Sequence, residues 1–446
     1  MVNINLRMPR LLLVNPWIFD FAACDFWLKP MGLLALGSAL RDAGFDIDLV
    51  DLTGASAAPD GKIHKRRLDG RGKFYAEEIE KPAPLQGVKR KYKRYGLLPA
   101  AAAQVLKELP RPDAILMAAT LTYWSLGYAF TAQFLRQSFP QTPLIAGGLY
   151  VTVCAGHARE NLHADFLCEG DYETGLPPVL KKIFGARVSL PGPEQVRLAL
   201  DLYPRLDYGV LLTGRGCPFR CKYCVGWKLH PVLRRKPVAF VVEEIAWQAK
   251  ALGLKNLAFY DDALILEPEQ HIMPILEGVL CAGLALNFHV PNGIHLKPMN
   301  AELARLMKRS GFKTIRFGLE TADAKRQEEL GAKAGLDDLE AALGHLEKAG
   351  FRGDEIIVYL LAGLPGQTAR EVERDVLAVK KLGARPSLSE YSPIPGTDLW
   401  QESLAAARYD FENEPLLQNC SLLPCGDPSL NPREFSRLKS LCRQPA

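Results

Sequence analysis

Short apolar runs alternate with amphipathic stretches along most of the chain. In the first 170 residues, the runs that predict buried strands lie at 11–14, 45–50, 114–119, 144–148 and 165–170. Between them, residues 32–44 and 128–139 have the spacing of amphipathic helices, and Gly44 is a typical helix stop. Because strands that alternate with helices form parallel sheets, this half predicts a doubly wound, Rossmann-like α/β sheet.

The same alternation continues in the second half of the chain. Six further apolar runs lie at 208–213, 256–260, 285–289, 314–317, 355–361 and 386–391. Helical patterns at 241–252, 301–310 and 339–349 lie between them, and polar or Gly/Pro turns follow each run. This pattern predicts a partial (β/α)6 barrel of the TIM type, in which active sites lie at the carboxyl ends of the strands.

These patterns predict three regions in the 446 residues. We expect a doubly wound domain over 1–190, a partial barrel over 205–400 and a short C-terminal extension over 401–446. A basic insertion at about 55–97 interrupts the first domain, with twelve Lys and Arg against four Asp and Glu between 62 and 94. It is either a solvated loop or a lid that recruits an acidic substrate or partner.

Composition excludes several classes of function. The hydrophobic content of 48% and the charged content of 24% are ordinary for a globular protein. A net charge of +5 is too small to indicate nucleic-acid binding, and no apolar run is long enough to span a membrane. Without an apolar segment typical of a secretory signal, the ten cysteines predict metal ligands in a cytoplasmic protein.

Three of these cysteines form a compact motif. Cys217, Cys221 and Cys224 have the spacing Cys-x3-Cys-x2-Cys, with Tyr223 just before the third. A 4Fe–4S cluster held by three cysteines keeps one iron with an open coordination position. Zinc with a fourth ligand from elsewhere is the alternative, but no second close pair of ligands lies near this loop.

The motif resembles the signature of the radical S-adenosylmethionine (SAM) enzymes. The resemblance implies that the three cysteines hold a 4Fe–4S cluster and that SAM chelates the fourth iron. Transfer of one electron would then cleave SAM to methionine and a 5′-deoxyadenosyl radical. The implied partners are a small-molecule substrate and a reductant such as flavodoxin or ferredoxin.

Motifs after the later strands match the same family in order. The resemblance implies that residues after the second, fourth, fifth and sixth strands of the barrel contact SAM, namely Asp261, Asp262, Gly318, Glu320, Gly363, Pro365 and Ile394. Taken singly, the aspartates could be helix caps and the glycines could be turn formers.

The N-terminal half resembles the cobalamin-binding domain that precedes many radical SAM cores. The resemblance implies cofactor-binding roles for Asn15, Thr120, Gly147 and Gly148. The Asp-x-His-x-x-Gly motif, whose histidine ligates cobalt in well-known cobalamin domains, does not follow the first strand. The sequence therefore leaves three alternatives for this sheet: it binds cobalamin, it is vestigial, or it binds the substrate.

The interpretation of function follows from both resemblances. We expect a radical SAM enzyme that transfers a methyl group to an unactivated centre with cobalamin. The alternatives are a cobalamin-independent oxidoreductase, mutase or cyclase, and a non-catalytic iron–sulfur or zinc protein. Three cysteines of the C-terminal extension could ligate a second cluster or could be buried apolar residues: Cys420, Cys425 and Cys442.

Overall fold

The structure of the protein is a computed structural model that describes residues 8–54, 66–185 and 187–444. The first part of the basic insertion, including Lys62 and Lys65, therefore lies outside the described residues. The chain divides into two compact units, which consist of Met1–Arg205 with Asn413–Leu416, and of Leu206–Glu412 with Leu417–Ala446.

The first unit alternates strands and helices. Its strands are β1 (Arg10–Asn15), β2 (Ile18–Asp20), β3 (Asp46–Asp51), β4 (Ala76–Glu78), β5 (Lys93–Tyr95), β6 (Ala114–Ala118), β7 (Leu144–Gly147) and β8 (Phe166–Cys168). Its helices are α1 (Met31–Asp42), α2 (Pro99–Glu108), α3 (Ser125–Ser138), α4 (Leu149–Val153), α5 (Ala155–Asn161) and α6 (Tyr172–Phe184).

Five of these strands form a parallel sheet in the order β3-β1-β6-β7-β8. Leu11–Val14 in β1 are buried, as expected for a central strand covered on both faces. The strand order reverses between β1 and β6, and this switch point is where such sheets bind ligands. The predicted doubly wound sheet is confirmed.

The described part of the basic insertion is folded. Its strands β4 and β5 pair with β2 in a small antiparallel sheet. Tyr92 and Tyr95 are buried there, while Arg94 pairs with Glu77 and Lys91 with Glu78. Part of the positive charge is therefore neutralised within the insertion, and its tyrosines pack in the interior.

Of the six α-helices described in the first unit, the sequence pattern predicts α1 and α3 and misses α2, α4, α5 and α6. The sequence predicts neither α2 nor α6 because α2 is rich in alanine and α6 contains Pro177 and Pro178. Proline inside a helix removes a hydrogen bond and ordinarily argues against helical structure. Gly185, in a left-handed conformation with φ of 73°, ends α6.

The second unit repeats the strand–helix alternation. Its strands are β9 (Gly209–Leu211), β10 (Gly214–Arg215), β11 (Arg234–Arg235), β12 (Asn256–Phe259), β13 (Asn287–His289), β14 (Phe312–Glu320), β15 (Ile356–Ala362) and β16 (Arg385–Glu390). Its helices are α7 (Gly226–Leu229), α8 (Val238–Lys250), α9 (Ile272–Cys281), α10 (Ala301–Ser310), α11 (Ala324–Leu330), α12 (Leu336–Lys348), α13 (Ala369–Lys381), α14 (Trp400–Ala405) and α15 (Pro432–Leu441).

Six strands form one parallel sheet in chain order, β9-β12-β13-β14-β15-β16. Apolar side chains such as Phe259, Phe288 and Phe317 pack between the sheet and its helices. Among the described strands β9 and β16 do not pair, so the sheet is an open, partial barrel, as predicted. All six carboxyl ends lie at one edge of the sheet, because the strands are parallel.

Much of the C-terminal extension packs into the second unit. Leu423, Leu430, Phe435 and Leu438 belong to its hydrophobic core, and α15 packs on α13. Within the described ranges, no helix combines the length and apolar character that crossing a bilayer requires.

Candidate active site at the carboxyl edge of the barrel

The three cysteines lie on a loop between β10 and α7. Gly216 precedes the first cysteine with φ of 97°, and a Cβ atom there would lie 2.4 Å from the carbonyl oxygen of Val232. Only glycine fits this backbone without strain. The Cys217 N–H donates to the carbonyl oxygen of His230 at 3.2 Å, which fixes the start of the loop.

Burial dominates the chemistry of the three thiols. It raises the pKa of Cys217 to about 11 and also raises the pKa of Cys221 and Cys224. Without a bound metal these thiols are protonated at neutral pH, and metal binding would release their protons. Among the described residues, no three His, Cys, Asp or Glu side chains converge as ligands of one ion. A 4Fe–4S cluster binds each thiolate at a separate iron and does not require such convergence.

A lysine that the sequence analysis missed lies beside this loop. The Nζ atom of Lys333 is 3.2 Å from Glu320 Oε1, and both side chains are 12% exposed. Burial opposes the charge on Lys333, but the neighbouring Glu320 carboxylate outweighs it, and the pKa of Lys333 is raised. Burial raises the pKa of Tyr223 well above its usual value, and the neighbouring Glu320 and Cys221 side chains add to the rise. The loop and the end of β14 therefore share one charged network.

The approach of Lys333 depends on a glycine. Gly331 has φ of 117°, and a Cβ atom there would lie 3.0 Å from the carbonyl oxygen of Arg220. The Lys222 N–H also donates to the carbonyl oxygen of Leu330 at 3.1 Å. The segment after α11 thus docks on the cysteine loop, and this contact is the one that carries Lys333 into the site.

Gly318 is placed where a side chain would collide with the charged pair. A Cβ atom at Gly318 would lie 2.7 Å from Glu320 Oε1 and 3.0 Å from Lys333 Nζ. Glu320 itself has φ of 72°, next to an irregularity in the pairing of β14 and β15. The structure therefore brings the predicted residues Gly318 and Glu320 together with the cysteines.

Asp261 lies at the carboxyl end of β12 with one oxygen saturated. Its Oδ1 atom accepts hydrogen bonds from the N–H and the hydroxyl of Thr213, at 2.9 and 2.7 Å. Its buried Oδ2 atom has no hydrogen-bond partner among the described residues. Burial raises the pKa of Asp261 to about 7, with the neighbouring Asp262 carboxylate adding to the rise. Asp262 is exposed, and its charge contributes to the raised pKa of Cys217 and Cys224.

A histidine also lies against the cysteine loop. His295 is 4% exposed, and its ring stacks on Phe219 with centroids 4.4 Å apart. Its Nε2 atom lies 4.0 Å from Cys217 Sγ, and its buried Nδ1 atom has no hydrogen-bond partner in the described ranges. Burial lowers the pKa of His295 to about 3, so the ring is neutral at physiological pH.

The turn after β15 and the loop after β16 lie farther along the same edge. Gly363 has φ of 92°, and a Cβ atom there would contact Leu423 at 3.0 Å. Close packing of Leu423, from the C-terminal extension, thus accounts for a glycine at position 363. Pro365 and Ile394 are half-buried. The Leu399 N–H, from the loop that contains Ile394, donates to the carbonyl oxygen of Lys222 at 3.0 Å and so joins this loop to the cysteine loop.

The four cofactor candidates of the first unit lie at the carboxyl edge of its own sheet. Asn15 ends β1, and its amide donates to Asp51 at 2.7 Å. Thr120 follows β6, and its N–H donates to the Tyr128 hydroxyl at 3.0 Å. Asn15 and Thr120 therefore flank the switch point of the sheet.

The two glycines after β7 fit close contacts within this unit. Gly148 has φ of 110°, and a Cβ atom there would lie 2.5 Å from the carbonyl oxygen of Ala119. A Cβ atom at Gly147 would lie 3.3 Å from the carbonyl oxygen of Cys168. Packing of the backbone alone accounts for both residues.

The cysteines of the C-terminal extension are dispersed. Cys425 and Cys442 are buried and Cys420 is half-buried. Burial raises the pKa of Cys425 to about 12, as expected of an apolar, protonated thiol.

Comparison with known proteins identifies the second unit. The sequence model of the radical SAM superfamily matches residues 211–379, which contain the cysteine loop and the strands β12 to β15. This part of the chain is a radical SAM domain. Enzymes of this superfamily use a 4Fe–4S cluster and SAM, and they require a reductant and a small-molecule substrate. The predicted resemblance to the radical SAM superfamily is confirmed. The 4Fe–4S cluster and SAM are confirmed as the cofactors of that superfamily.

Two curated relatives of this chain are named as methyltransferases. An uncharacterised methyltransferase of Pyrococcus horikoshii is 28% identical over 48% of this chain and 47% of its own length. The match thus spans about half of that relative. The cytidylyl-2-hydroxyethylphosphonate methyltransferase of Streptomyces wedmorensis is 26% identical over 91% of this chain and 84% of its own length.

A solved structure has a similar fold over both units of this chain. It is the radical SAM methyltransferase TsrM of Kitasatospora setae, with tryptophan substrate and a SAM analogue bound. The TM-score is 0.65 and the identity 18%, and the match covers 89% of this chain and 76% of that chain. At this identity the likeness establishes the fold alone. It confirms the fold of a doubly wound N-terminal domain followed along the chain by a partial barrel.

Proposed function

We propose that the protein reductively cleaves SAM at a 4Fe–4S cluster and, with cobalamin, transfers a methyl group to an unactivated centre of a small molecule. One observation carries this proposal. The carboxyl edge of the barrel brings three cysteines together with the Lys333–Glu320 ion pair, and it also holds Asp261, whose Oδ2 is unpartnered. These groups suit a cluster and a zwitterionic ligand.

Cys217, Cys221 and Cys224 are the proposed ligands of three irons. The cluster, when bound, supplies the electron that cleaves a carbon–sulfur bond of SAM. The protein contributes positive charge at this place, since Lys333 is close enough for its charge to favour the Cys221 thiolate. Charge and hydrogen bonds near the sulfurs are what a protein uses to adjust the reduction potential of such a cluster.

The residues after β12 and β14 fit the amino-acid part of SAM. Asp261 Oδ2 lacks a donor, and an ammonium group would supply a charge-assisted hydrogen bond. Asp262 adds negative charge beside it. Gly318 leaves room beside Glu320 and Lys333, whose ion pair offers both a donor and an acceptor. We assign the amino-acid part of SAM to these residues.

The residues after β15 and β16 complete the proposed SAM site. We assign Gly363, Pro365 and Ile394 to the side of the site that faces the adenine. The backbone hydrogen bond between Leu399 and Lys222 supports this assignment, because it joins the loop of Ile394 to the cysteine loop. A Cβ atom at Gly363 would collide with Leu423, so this residue acts by shaping the turn.

Methyl transfer is proposed from the relatives. Two curated relatives are named as methyltransferases, and TsrM, which shares the fold, has been solved with cobalamin and a 4Fe–4S cluster bound. Cobalamin, when bound, supplies a cobalt centre that carries a methyl group. In this chain Asn15 and Thr120 flank the switch point where a cofactor would lie. The Asp-x-His-x-x-Gly motif does not follow β1, so no histidine stands at the usual cobalt-ligating place.

A specific observation favours a second candidate, a cobalamin-independent radical SAM enzyme. Asn15 uses its amide hydrogens on Asp51 and Thr53, and Gly147 and Gly148 are explained by packing. The edge of the first sheet is thus satisfied by its own residues. The same core could then catalyse an oxidation, a rearrangement or a cyclisation.

Anaerobic reconstitution tests both candidates. With iron, sulfide, a chemical reductant and SAM, the protein should release 5′-deoxyadenosine and methionine, which mass spectrometry detects. An intact cluster without SAM cleavage would contradict the proposal. Purification with and without added cobalamin, read by absorbance and by the mass of the bound ligand, separates the two candidates. A protein that cleaves SAM but retains no cobalamin is the cobalamin-independent enzyme.

A further inference from the structure

A buried hydrogen-bonded chain ends at Asp261. Thr213 lies between β9 and the cysteine loop, Asp261 follows β12, and His271 immediately precedes α9. Their exposed fractions are 1%, 7% and 3%. The Thr213 hydroxyl lies 2.7 Å from Asp261 Oδ1 and 2.8 Å from His271 Nε2. Three separate elements therefore meet at one hydroxyl group.

The protons available on Thr213 and His271 determine which group donates in each of these hydrogen bonds. An ionised carboxylate only accepts hydrogen bonds, so Thr213 donates its single hydroxyl proton to Asp261. The hydroxyl oxygen must then accept from His271, which requires a proton on Nε2. Burial lowers the pKa of His271 to about 4, so the ring is neutral and this proton fixes its tautomer.

Thr213 is itself held from a second side. Its carbonyl oxygen accepts a hydrogen bond from the Lys236 N–H at 2.8 Å, next to β11. Its N–H donates to the same Asp261 Oδ1 as its hydroxyl does. The N–H and the hydroxyl of Thr213 therefore both donate to Oδ1, and these two hydrogen bonds restrict rotation of the carboxylate about its Cβ–Cγ bond.

The other oxygen of Asp261, Oδ2, has no hydrogen-bond donor among the described residues. Leaving a buried carboxylate oxygen unpaired costs stability, and a ligand that donates to it would recover this cost. Because Oδ1 is saturated, Oδ2 is the oxygen that is available to such a ligand. A cationic donor suits it best.

We propose that Thr213 and His271 are positioning residues that orient Asp261 Oδ2 toward the ammonium group of SAM. This inference rests on the proposed function, because it requires that SAM bind at this edge. The two residues act through Asp261 and need no contact with SAM. They therefore determine how strongly the protein recognises the ammonium group.

Equilibrium binding to the cluster-loaded protein tests the inference. The probes are SAM and its analogue in which hydrogen replaces the α-amino group, titrated anaerobically by calorimetry. The variants are Thr213→Val, which has the same shape without the hydroxyl, and His271→Leu, which lacks the donor. We expect the Kd for SAM to rise about tenfold in Thr213→Val and about threefold to tenfold in His271→Leu. The Kd for the analogue should stay within about twofold of the wild-type value.

Matched variants separate positioning from general damage. Thr213→Ser keeps the hydroxyl and should restore SAM affinity. Thr131→Val removes a buried hydroxyl from the first unit, where it donates to the Gly127 carbonyl oxygen at 2.7 Å, and should leave both Kd values unchanged. If Thr213→Val does not retain the cluster absorbance, His271→Leu carries the test, because His271 lies outside the cysteine loop.

The outcomes distinguish this inference from the proposed function. Equal effects on SAM and the analogue, or no effect on either, would overturn the positioning role. Wild-type protein that binds the two probes equally would also overturn it, since Asp261 would then receive no ammonium group. Wild-type protein that carries a cluster but does not bind SAM would contradict the proposed function itself.

Discussion

The carboxyl edges of the two parallel sheets use their polar side chains in opposite ways. In the first unit, Asp51 accepts hydrogen bonds from Asn15, Thr53 and Tyr203, so that both of its oxygens have donors. In the second unit, Asp261 has one oxygen with two donors and the other with none among the described residues. An aspartate at the carboxyl edge thus has donors on both oxygens in the first sheet and, among the described residues, on one oxygen in the second.

This difference indicates which edge requires a ligand. A buried polar group without a partner costs about 1–3 kcal/mol, and native structures keep few such groups. The barrel edge keeps two near the cysteine loop, Asp261 Oδ2 and His295 Nδ1. An edge whose polar groups are hydrogen-bonded to one another is stable without a ligand. The barrel edge therefore gains more from a bound, hydrogen-bonding ligand than the first edge does.

The largest expected effect comes from the cysteine loop. Cys221→Ala should abolish the brown absorbance of the reconstituted protein and all SAM cleavage, because one iron would lose its ligand. Iron analysis and quantification of 5′-deoxyadenosine check this result. Cys281→Ala, at an exposed cysteine of α9, is the matched control and should retain both. If Cys221→Ala kept a full cluster, the proposed ligand set would be wrong.

The next effect concerns the Lys333–Glu320 pair. Lys333→Met leaves a nearly buried carboxylate beside Tyr223 without its cation, and removing one partner of a buried pair costs about 3–5 kcal/mol. Urea unfolding of the cluster-free protein should show a lower midpoint. SAM affinity should fall as well, since the pair would no longer be oriented.

Two further variants sharpen this prediction. Lys333→Arg keeps the charge and should lose little stability. The double variant Glu320→Gln with Lys333→Met removes both charges and should be more stable than Lys333→Met alone. If the single and double variants unfold at the same midpoint, the ion pair does not account for the lost stability.

Lys333 shows why sequence alone could not complete the site. The cysteines, Asp261 and Glu320 stand in motifs that resemble those of the radical SAM family, and this resemblance was enough to propose them as site residues. Lys333 stands in no motif. It reaches the site because Gly331 lets the segment after α11 approach the backbone of Arg220, and such an approach depends on tertiary packing.

The same limit applies to the fold. Strands such as β1 and β6 were predictable because runs of apolar residues are typical of buried strands. Helix α6 was not, because Pro177 and Pro178 contradict helical propensity and only packing overrides them. His271 was equally hidden, since its role depends on Thr213, which is distant in sequence and adjacent only in the folded barrel.

The incomplete carboxylate also predicts a pH dependence. Burial raises the pKa of Asp261 from 3.8 to about 7, so in the ligand-free protein this group is protonated below about pH 7. An ammonium group binds the ionised form, and the Kd for SAM should therefore rise about tenfold for each pH unit below 7. Calorimetric titrations between pH 6 and pH 8 measure it.

The groups that face Asp261 decide how this profile is interpreted. Burial keeps the pKa of His271 at about 4, so the ring does not change charge in this range. The carboxylate of Asp262 contributes to the raised pKa of Asp261. Asp262→Asn should therefore keep the profile with a lower midpoint, and Asp261→Asn should flatten it. A profile that survives in Asp261→Asn would assign the titration to another group.

The smallest effect is expected at the first edge. The Tyr203 hydroxyl donates to Asp51 Oδ2 at 2.6 Å, and Tyr203→Phe removes this bond while keeping the ring that packs 4.5 Å from Lys29 Nζ. A hydrogen bond to a charged group contributes about 1.5–3 kcal/mol, so the unfolding midpoint of the first unit should fall modestly. SAM affinity should not change. Tyr409→Phe, at a 37% exposed tyrosine, should alter neither. If Tyr203→Phe leaves the unfolding midpoint unchanged, the hydrogen bond from Tyr203 to Asp51 does not contribute to stability. The contrast between the two edges would then have no energetic basis.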